Sequence, residues 1–123
     1  WTIFGLQEEV FYVNIANPPQ IVVIDPNHLT GIAKVYEIPV SGPHGLDLDP
    51  TNGRLFCACD GGQLVTLEAA TGALISQLPL SGIPDVVFYN DVLNHLYVAI
   101  GDPGVIEVFD TKTMQRFQSV VTE

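Results

Sequence analysis

The stretch Leu55-Phe56-Cys57-Ala58 returns 41 residues later as Leu96-Tyr97-Val98-Ala99. Pro43-His44 aligns over the same interval, without a gap, on Pro84-Asp85. Two alignments at one fixed interval indicate that this part of the chain is an internal structural repeat.

The repeat extends in both directions from this stretch. One residue is gained downstream, so that Leu64-Val65-Thr66-Leu67-Glu68 aligns on Ile106-Glu107-Val108-Phe109-Asp110. The earliest copy, Phe11-Tyr12-Val13-Asn14 followed by Ile21-Val22-Val23-Ile24-Asp25, lies 43 to 44 residues upstream of the second. A period of roughly 40 to 45 residues that carries four short strand patterns is typical of β-propeller blades.

Apolar alternation and turn residues divide each copy into four strands, A to D. The predicted ranges are 2–4, 45–49 and 85–89 for A, 11–16, 54–59 and 95–100 for B, 20–25, 63–68 and 105–110 for C, and 33–39, 73–80 and 115–121 for D. Helical periodicity is absent from the sequence. We therefore predict an all-β chain, a single propeller segment of three four-stranded blades at about residues 1–41, 42–82 and 83–123.

Three blades do not close a ring, and both terminal repeats keep apolar B and C strands. A terminal blade of an open array should carry a polar outer face instead. We expect a second copy of the chain to complete a six-bladed ring with two-fold symmetry, or further blades of a longer chain to do so. Val108 and Phe109 are predicted to lie in that interface.

Composition excludes several classes of partner. The net charge is −10, and only four basic residues are spread along the 123-residue chain. Nucleic-acid binding requires a basic stripe that displaces counterions from phosphates, so we expect no nucleic-acid partner. No apolar run is long enough to cross a bilayer, and we expect no membrane insertion. Cationic or neutral ligands are favoured electrostatically.

The two cysteines and the first residue carry little functional information. Cys57 and Cys59 alternate on a predicted strand and share one face, where disulfide geometry is difficult, so we predict buried free thiols. The chain begins at Trp1 without a signal region, which predicts a processed product, an excised fragment or an incomplete sequence. Localisation is unknown on this basis.

The sequence resembles the YVTN-type β-propeller repeat proteins, a bacterial family related to surface-layer and quinoprotein-like propellers. The resemblance covers essentially the whole chain and departs from the family pattern in the short A–B region of the first repeat. It is carried by Tyr12-Val13-Asn14-Ile15-Ala16-Asn17, by Gly45-Leu46-Asp47-Leu48-Asp49-Pro50-Thr51-Asn52-Gly53, and by Leu96-Tyr97-Val98-Ala99 through Ile106-Glu107-Val108-Phe109-Asp110. These motifs specify packing and turns rather than chemistry. The resemblance implies an exported or periplasmic protein.

Propeller topology places the entry to strand A and the B–C turns at one end of the central channel. The polar residues at these positions form the predicted ligand-binding rim, and they are His44, Asp85, Asp60, Asp102 and Asn17. The alternative at His44 and Asp85 is a purely structural role, in which each side chain hydrogen-bonds backbone amides. No spacing of metal ligands is present, so no metal and no cofactor are expected.

No nucleophile elbow, phosphate loop or catalytic triad spacing occurs, and no catalytic residue is predicted. The preferred hypothesis is a non-catalytic module that binds a small molecule or a protein at the rim and self-associates to close the ring. The alternative is a channel-mouth enzyme, such as a metal-dependent lactonase-like hydrolase, in which rim carboxylates and His44 converge on one cation. A third possibility is a half-ring whose role is assembly alone.

Overall fold

The computed structural model describes residues 1–28 and 30–122, and it folds them into antiparallel strands. The strands are β1 (Thr2–Gly5), β2 (Val10–Ile15), β3 (Gln20–Ile24), β4 (Lys34–Glu37), β5 (Pro43–Asp49), β6 (Arg54–Cys59), β7 (Gln63–Glu68), β8 (Leu74–Pro79), β9 (Pro84–Asn90), β10 (His95–Ile100), β11 (Val105–Asp110) and β12 (Gln115–Val121). No helix is present in the described ranges. The all-β prediction is confirmed.

The strands form three four-stranded sheets, each with its strands in chain order. We call β1–β4 blade 1, β5–β8 blade 2 and β9–β12 blade 3. The register breaks recur at matching places, between Pro43 and Gly45 in β5 and between Val98 and Ile100 where β10 pairs with β9. The fold is a partial β-propeller of three blades.

In the described part of the chain, no helix has the length and apolar character needed to span a bilayer.

Each junction between blades holds a separate apolar core. One core lies between blades 1 and 2 and includes the fully buried Leu55, Cys57 and Val65. The other lies between blades 2 and 3 and is built around Phe56 and Phe109. Burial of one such leucine or phenylalanine contributes about 1.5–3 kcal/mol, so the blades are held face to face mainly by these two cores.

In each repeat, one position of strand B carries an aromatic side chain on the face directed to the following blade. Tyr12 faces blade 2 and Phe56 faces blade 3, and both are almost completely buried. Tyr97 occupies the same position in blade 3 and has no following blade in the structure. The alternation of strand side chains therefore gives every blade one face for the preceding blade and one for the following blade.

A side-chain hydrogen bond to a backbone carbonyl ties each pair of adjacent blades at the end of the junction where strand C ends. The Tyr36 hydroxyl of blade 1 donates to the Ala69 carbonyl over 2.7 Å. The Arg54 guanidinium of blade 2 donates to the Thr111 carbonyl over 2.6 Å. Ala69 and Thr111 both follow strand C directly, so two different side chains make the same tie in successive junctions.

Arg54 also neutralises a fully buried carboxylate. Its Nη2 lies 2.8 Å from Oδ2 of Asp49, whose side chain has no solvent exposure. Asn52 adds a backbone and a side-chain hydrogen bond to the same carboxylate. Burial alone would raise the pKa of Asp49, but the hydrogen bonds from Arg54 and Asn52 outweigh burial and hold that pKa below its usual value.

Asp47 is shifted in the opposite direction. Its carboxylate accepts backbone hydrogen bonds from Tyr89 of blade 3 over 2.6 Å and from Leu48 over 2.8 Å. Burial raises the pKa of Asp47 by more than these two bonds lower it. The half-buried side chain of Asp47 is therefore directed to the edge of the neighbouring blade.

These two shifts predict opposite pH dependences on either side of the ordinary aspartate pKa of 3.8. The stability that ionised Asp49 contributes is complete above 3.8 and is lost as the pH falls through its lowered folded pKa. Asp47 favours the folded state most when it is protonated, so its contribution declines as the pH rises from 3.8 through its raised folded pKa. Urea midpoints measured from pH 2.5 to 6 should show two separate effects. Asp49→Asn should abolish the loss of stability below pH 3.8, and Asp47→Asn should abolish the decline of stability above pH 3.8. Identical profiles for both variants would contradict this assignment.

Candidate functional site

Three of the five predicted rim residues come together at one end of the inner strands. His44 lies at the start of β5, Asp60 in the turn after β6, and Asp85 at the start of β9. His44 Nδ1 is 3.1 Å from Asp60 Oδ1, and His44 Nε2 is 3.7 Å from Asp85 Oδ1. The imidazole therefore lies between a carboxylate of its own blade and a carboxylate of the next.

The local backbone explains why Asp60 reaches His44. The amide of Asp60 donates to the Gly42 carbonyl over 2.8 Å, which fastens the B–C turn to the segment that enters β5. Gly42 has a φ of 64°, and a Cβ there would lie 2.7 Å from the Asp60 Cβ. Only glycine combines this backbone conformation with so close an approach.

A second close approach brings Asp85 to the same place. A Cβ on Gly45 would lie 2.7 Å from Val87 Cγ2 and 3.0 Å from the Asp85 carbonyl oxygen. The absent side chain at Gly45 lets the first strand of blade 3 pack directly against the first strand of blade 2. The two strand entries therefore lie side by side at the channel mouth.

Asn14 is a positioning residue that sequence reasoning missed. Asn14 is 8% exposed, and its side-chain amide donates to the His44 carbonyl over 2.9 Å and to the Gly45 carbonyl over 3.3 Å. Blade 1 thus holds the backbone from which the His44 side chain projects. The only signal in the sequence was a polar residue in the apolar strand pattern of β2.

The other two predicted rim residues, Asp102 and Asn17, do not join this cluster. Asp102 lies in the turn after β10, one blade further along, where its carbonyl packs against Gly82. Asn17 lies in the turn after β2 of blade 1. Neither side chain makes a hydrogen bond or ion pair with His44, Asp60 or Asp85 in the described structure. The sequence alignment correctly placed both in B–C turns.

The cluster is open and polar. The side chains of His44, Asp60 and Asp85 are 44%, 49% and 68% exposed. In a nucleophilic catalytic site, a histidine acts as the general base and a carboxylate hydrogen-bonded to it orients its ring. Within residues 1–28 and 30–122, however, no hydroxyl or thiol is hydrogen-bonded to the imidazole of His44, and no three metal-ligating side chains are grouped closely enough to hold an ion. The cluster can accept hydrogen bonds and bind positive charge.

Cys57 and Cys59 do not belong to this cluster. Both are free and completely buried against blade 1, with their Sγ atoms 3.8 Å apart. The hydrogen bond with Cys59, together with burial, raises the pKa of the Cys57 thiol well above its usual value. A thiol that stays protonated is a poor nucleophile and a poor metal ligand, and the prediction of buried free thiols is confirmed.

No protein-family model matches the chain, and no curated protein does. Solved structures do resemble it. Hydrazine synthase from Kuenenia stuttgartiensis matches with a TM-score of 0.88 and 13% identity over 99% of this chain and 35% of its own. Apo AztD from Citrobacter koseri matches with a TM-score of 0.80 and 17% identity, and the match covers 99% of this chain and 35% of the AztD chain. A chain of a nidogen/laminin complex matches with a TM-score of 0.82 and 14% identity, and the match covers 98% of this chain and 46% of that one.

These structures are β-propeller proteins, and at such low identity the likeness establishes the fold alone. The chain spans between about one third and one half of their length.

Proposed function

We propose that the chain is a YVTN-type propeller module that acts as part of a closed ring and binds a ligand, without catalysis, at the channel mouth. The observation that supports this proposal is the position of His44 between Asp60 and Asp85, which belong to two different blades. In a typical binding site, a small number of polar side chains that converge from separate elements fix the orientation of the ligand.

The ligand should carry a positive charge that it can direct at two carboxylates. Asp60 and Asp85 are both accessible to solvent, and the chain as a whole has a net charge of −10. A guanidinium or ammonium group at the channel mouth would form charge-assisted hydrogen bonds with both carboxylates. His44 supplies a further hydrogen-bonding group between them. Such a group is found on a small basic metabolite or on a basic side chain of a partner protein.

The metal-dependent hydrolase remains the alternative. The structural neighbours include an enzyme, hydrazine synthase, and a complex between proteins, nidogen with laminin, so the fold accommodates either kind of function. The hydrolase hypothesis requires Asp102 to join His44, Asp60 and Asp85 on one cation. Asp102 belongs to the next blade's turn, and no observation in this structure favours the hydrolase over the binding module.

A titration with two small probes tests the proposal. Methylguanidinium carries the expected charge, and methylurea has nearly the same size and shape but is neutral. Backbone amide resonances of the 15N-labelled chain should shift with methylguanidinium at His44, Asp60 and Asp85, and should respond little to methylurea. In the Asp60→Asn/Asp85→Asn double variant the methylguanidinium response should disappear.

The control variant is Asp91→Asn, which removes one exposed carboxylate from the turn after β9 and leaves the channel mouth intact. It should keep the full methylguanidinium response. Equal responses to the two probes, or a response that survives in the double variant, would contradict the proposal. Hydrolysis of a lactone that requires an added divalent cation and is lost in His44→Ala would favour the enzyme instead.

A further inference from the structure

A hollow of about 360 Å³ lies in the junction between blades 1 and 2. Its walls come from the A–B turn, β2, β3 and β4 of blade 1 and from the residues that follow strand C of blade 2. Strand A starts at the channel mouth and ends at the A–B turn, so this hollow lies at the opposite end of the sheets from His44. We call it the junction hollow.

The repeat shows what fills the same place in the next junction. Strand pairing puts Val10 of blade 1 at the position of Arg54 in blade 2. It also puts Gly5 at the position of Asp49. Between blades 2 and 3, the Arg54 guanidinium pairs with Asp49 and donates to the Thr111 carbonyl. Blade 1 therefore lacks both the cation and the strand carboxylate of that arrangement.

Glu8 supplies a carboxylate at this place from the A–B turn. The A–B turns of blades 1 and 2 are equally long, so Glu8 corresponds to Asn52, whose side chain lies 2.8 Å from Asp49 Oδ2. Glu8 Oε2 would lie 2.9 Å from a Cβ on Gly5, so the carboxylate occupies the space that the missing side chain leaves. Within residues 1–28 and 30–122, Glu8 has no ion-pair partner.

Two further groups that surround the Arg54 guanidinium have counterparts in the junction hollow. The Ala69 carbonyl follows strand C, as the acceptor of Arg54 does, and it receives one hydrogen bond from Tyr36. A carbonyl oxygen can accept a second hydrogen bond. The ring of Tyr12 corresponds to that of Phe56, whose centroid lies 5.3 Å from Arg54 Cζ. An aromatic face at this distance attracts a cation.

The Tyr12 hydroxyl is a polar group that the described structure leaves unpartnered. Tyr12 is 1% exposed and lines the junction hollow, yet its hydroxyl forms no hydrogen bond with another group of residues 1–28 and 30–122. Burial, and after it the Glu8 carboxylate, raise the pKa of Tyr12 to about 12, so the hydroxyl is neutral at ordinary pH. Buried polar groups normally have a hydrogen-bond partner, and a ligand in the hollow would provide one.

The other charged groups of the junction hollow are already engaged. Asp25 Oδ2 lies 2.8 Å from His28 Nδ1. Lys34 donates from Nζ to the Ala70 carbonyl over 3.1 Å. Glu8 is thus the charged group of the hollow that is available to a ligand.

We infer that the junction hollow binds the guanidinium group of a small molecule, in the place that Arg54 fills between blades 2 and 3. Glu8 and the Ala69 carbonyl accept its hydrogen bonds, and the Tyr12 ring packs against it. The volume of the hollow is near the lower end of the range of about 300–1,000 Å³ that small-molecule sites span, so the ligand is small. The site is separate from the proposed channel-mouth site.

A titration with propylguanidinium tests this inference, because that ion is the free counterpart of an arginine side chain. Propylurea has nearly the same size and shape but no charge. Propylguanidinium should shift the backbone amide resonances of Glu8, Tyr12 and Ala69 in the 15N-labelled chain, and propylurea should have little effect. Glu8→Gln should weaken binding by about 10-fold or more, because a charged acceptor is lost. Val10→Arg fills the hollow from the chain itself and should abolish the shifts at Tyr12 and Ala69.

Glu9→Gln is the matched control, since it removes the neighbouring exposed carboxylate, which does not line the hollow. It should leave the affinity unchanged, and the same spectra show that each variant remains folded. Equal shifts with propylurea, an unaltered affinity in Glu8→Gln, or shifts confined to His44, Asp60 and Asp85 would overturn the inference. Because the two sites have different resonances, this inference and the channel-mouth proposal can each fail while the other stands.

Discussion

Replacing Arg54 with alanine is expected to lower the free energy of unfolding by about 3–5 kcal/mol. The substitution leaves the Asp49 carboxylate completely buried without its counter-charge, and removal of one partner of a buried pair is far more costly than loss of an exposed pair. It also removes the tie from blade 2 to the Thr111 carbonyl of blade 3. Urea denaturation at neutral pH and fixed protein concentration measures the effect.

Lys112→Ala is the control for this experiment, because Lys112 is an exposed basic residue in the turn that Arg54 contacts. It should change stability by no more than about 0.5 kcal/mol. The double variant Arg54→Ala/Asp49→Ala should recover part of the loss, because the unpaired charge is then absent. An Arg54→Ala effect as small as that of Lys112→Ala would show that the buried pair does not hold the blades together.

Gly72→Ala is expected to be the most damaging of the glycine substitutions in the C–D and B–C turns, with a loss of about 3 kcal/mol or more. Gly72 has a φ of 76°, and a Cβ there would lie 2.3 Å from Cδ1 of Tyr36. Tyr36 is 5% exposed and donates its hydroxyl to the Ala69 carbonyl, so it cannot withdraw without opening the junction between blades 1 and 2.

Gly62→Ala separates the steric effect from the backbone effect. Gly62 has nearly the same φ, 79°, but a Cβ there meets nothing within 4 Å. Its substitution should cost only the left-handed conformation, about 1–2 kcal/mol. The difference between the two variants in urea midpoint isolates the contact with Tyr36. Equal losses at Gly72 and Gly62 would show that the Tyr36 contact relaxes freely.

The strands could be predicted well from the sequence because each strand pattern occurs in three aligned copies. The bounds of β6, β7 and β10 agree with the prediction residue for residue. Each is flanked by a turn with a clear sequence signal, such as the Asn-Gly turn before β6, which the φ of 63° at Gly53 suits. The largest difference is at β4, which is Lys34–Glu37 rather than 33–39, because Ile38 and Pro39 already belong to the connection toward blade 2.

The polar contacts between blades could not be predicted because they join residues far apart in the sequence. Asn14 holds the backbone of His44 thirty residues away. Glu107 is completely buried and pairs with Arg116 on the outer strand, although its counterpart in blade 2 is Val65. Periodicity identifies the side of a strand on which such a residue lies, but not whether its charge is neutralised there.

The candidate site was predicted in part, for a related reason. Topology alone places every strand-A entry and B–C turn at one end of the channel, which is why His44, Asp60 and Asp85 were grouped in advance. The structure distinguishes residues in contact from residues that only share this end. Asp102 does not reach His44 because the B–C turns of blades 2 and 3 each pack against the entry segment of their own blade, Asp60 against Gly42 and Asp102 against Gly82.

The central proposal is that His44, Asp60 and Asp85 form one site at the channel mouth that binds positive charge. Titration of the 15N-labelled chain with methylguanidinium and with methylurea tests it most directly, because the two probes differ in charge but hardly in size and shape. The account predicts amide shifts at His44, Asp60 and Asp85 with methylguanidinium, and these shifts should disappear in the Asp60→Asn/Asp85→Asn double variant. Equal shifts with methylurea, or shifts that survive in the double variant, would contradict it.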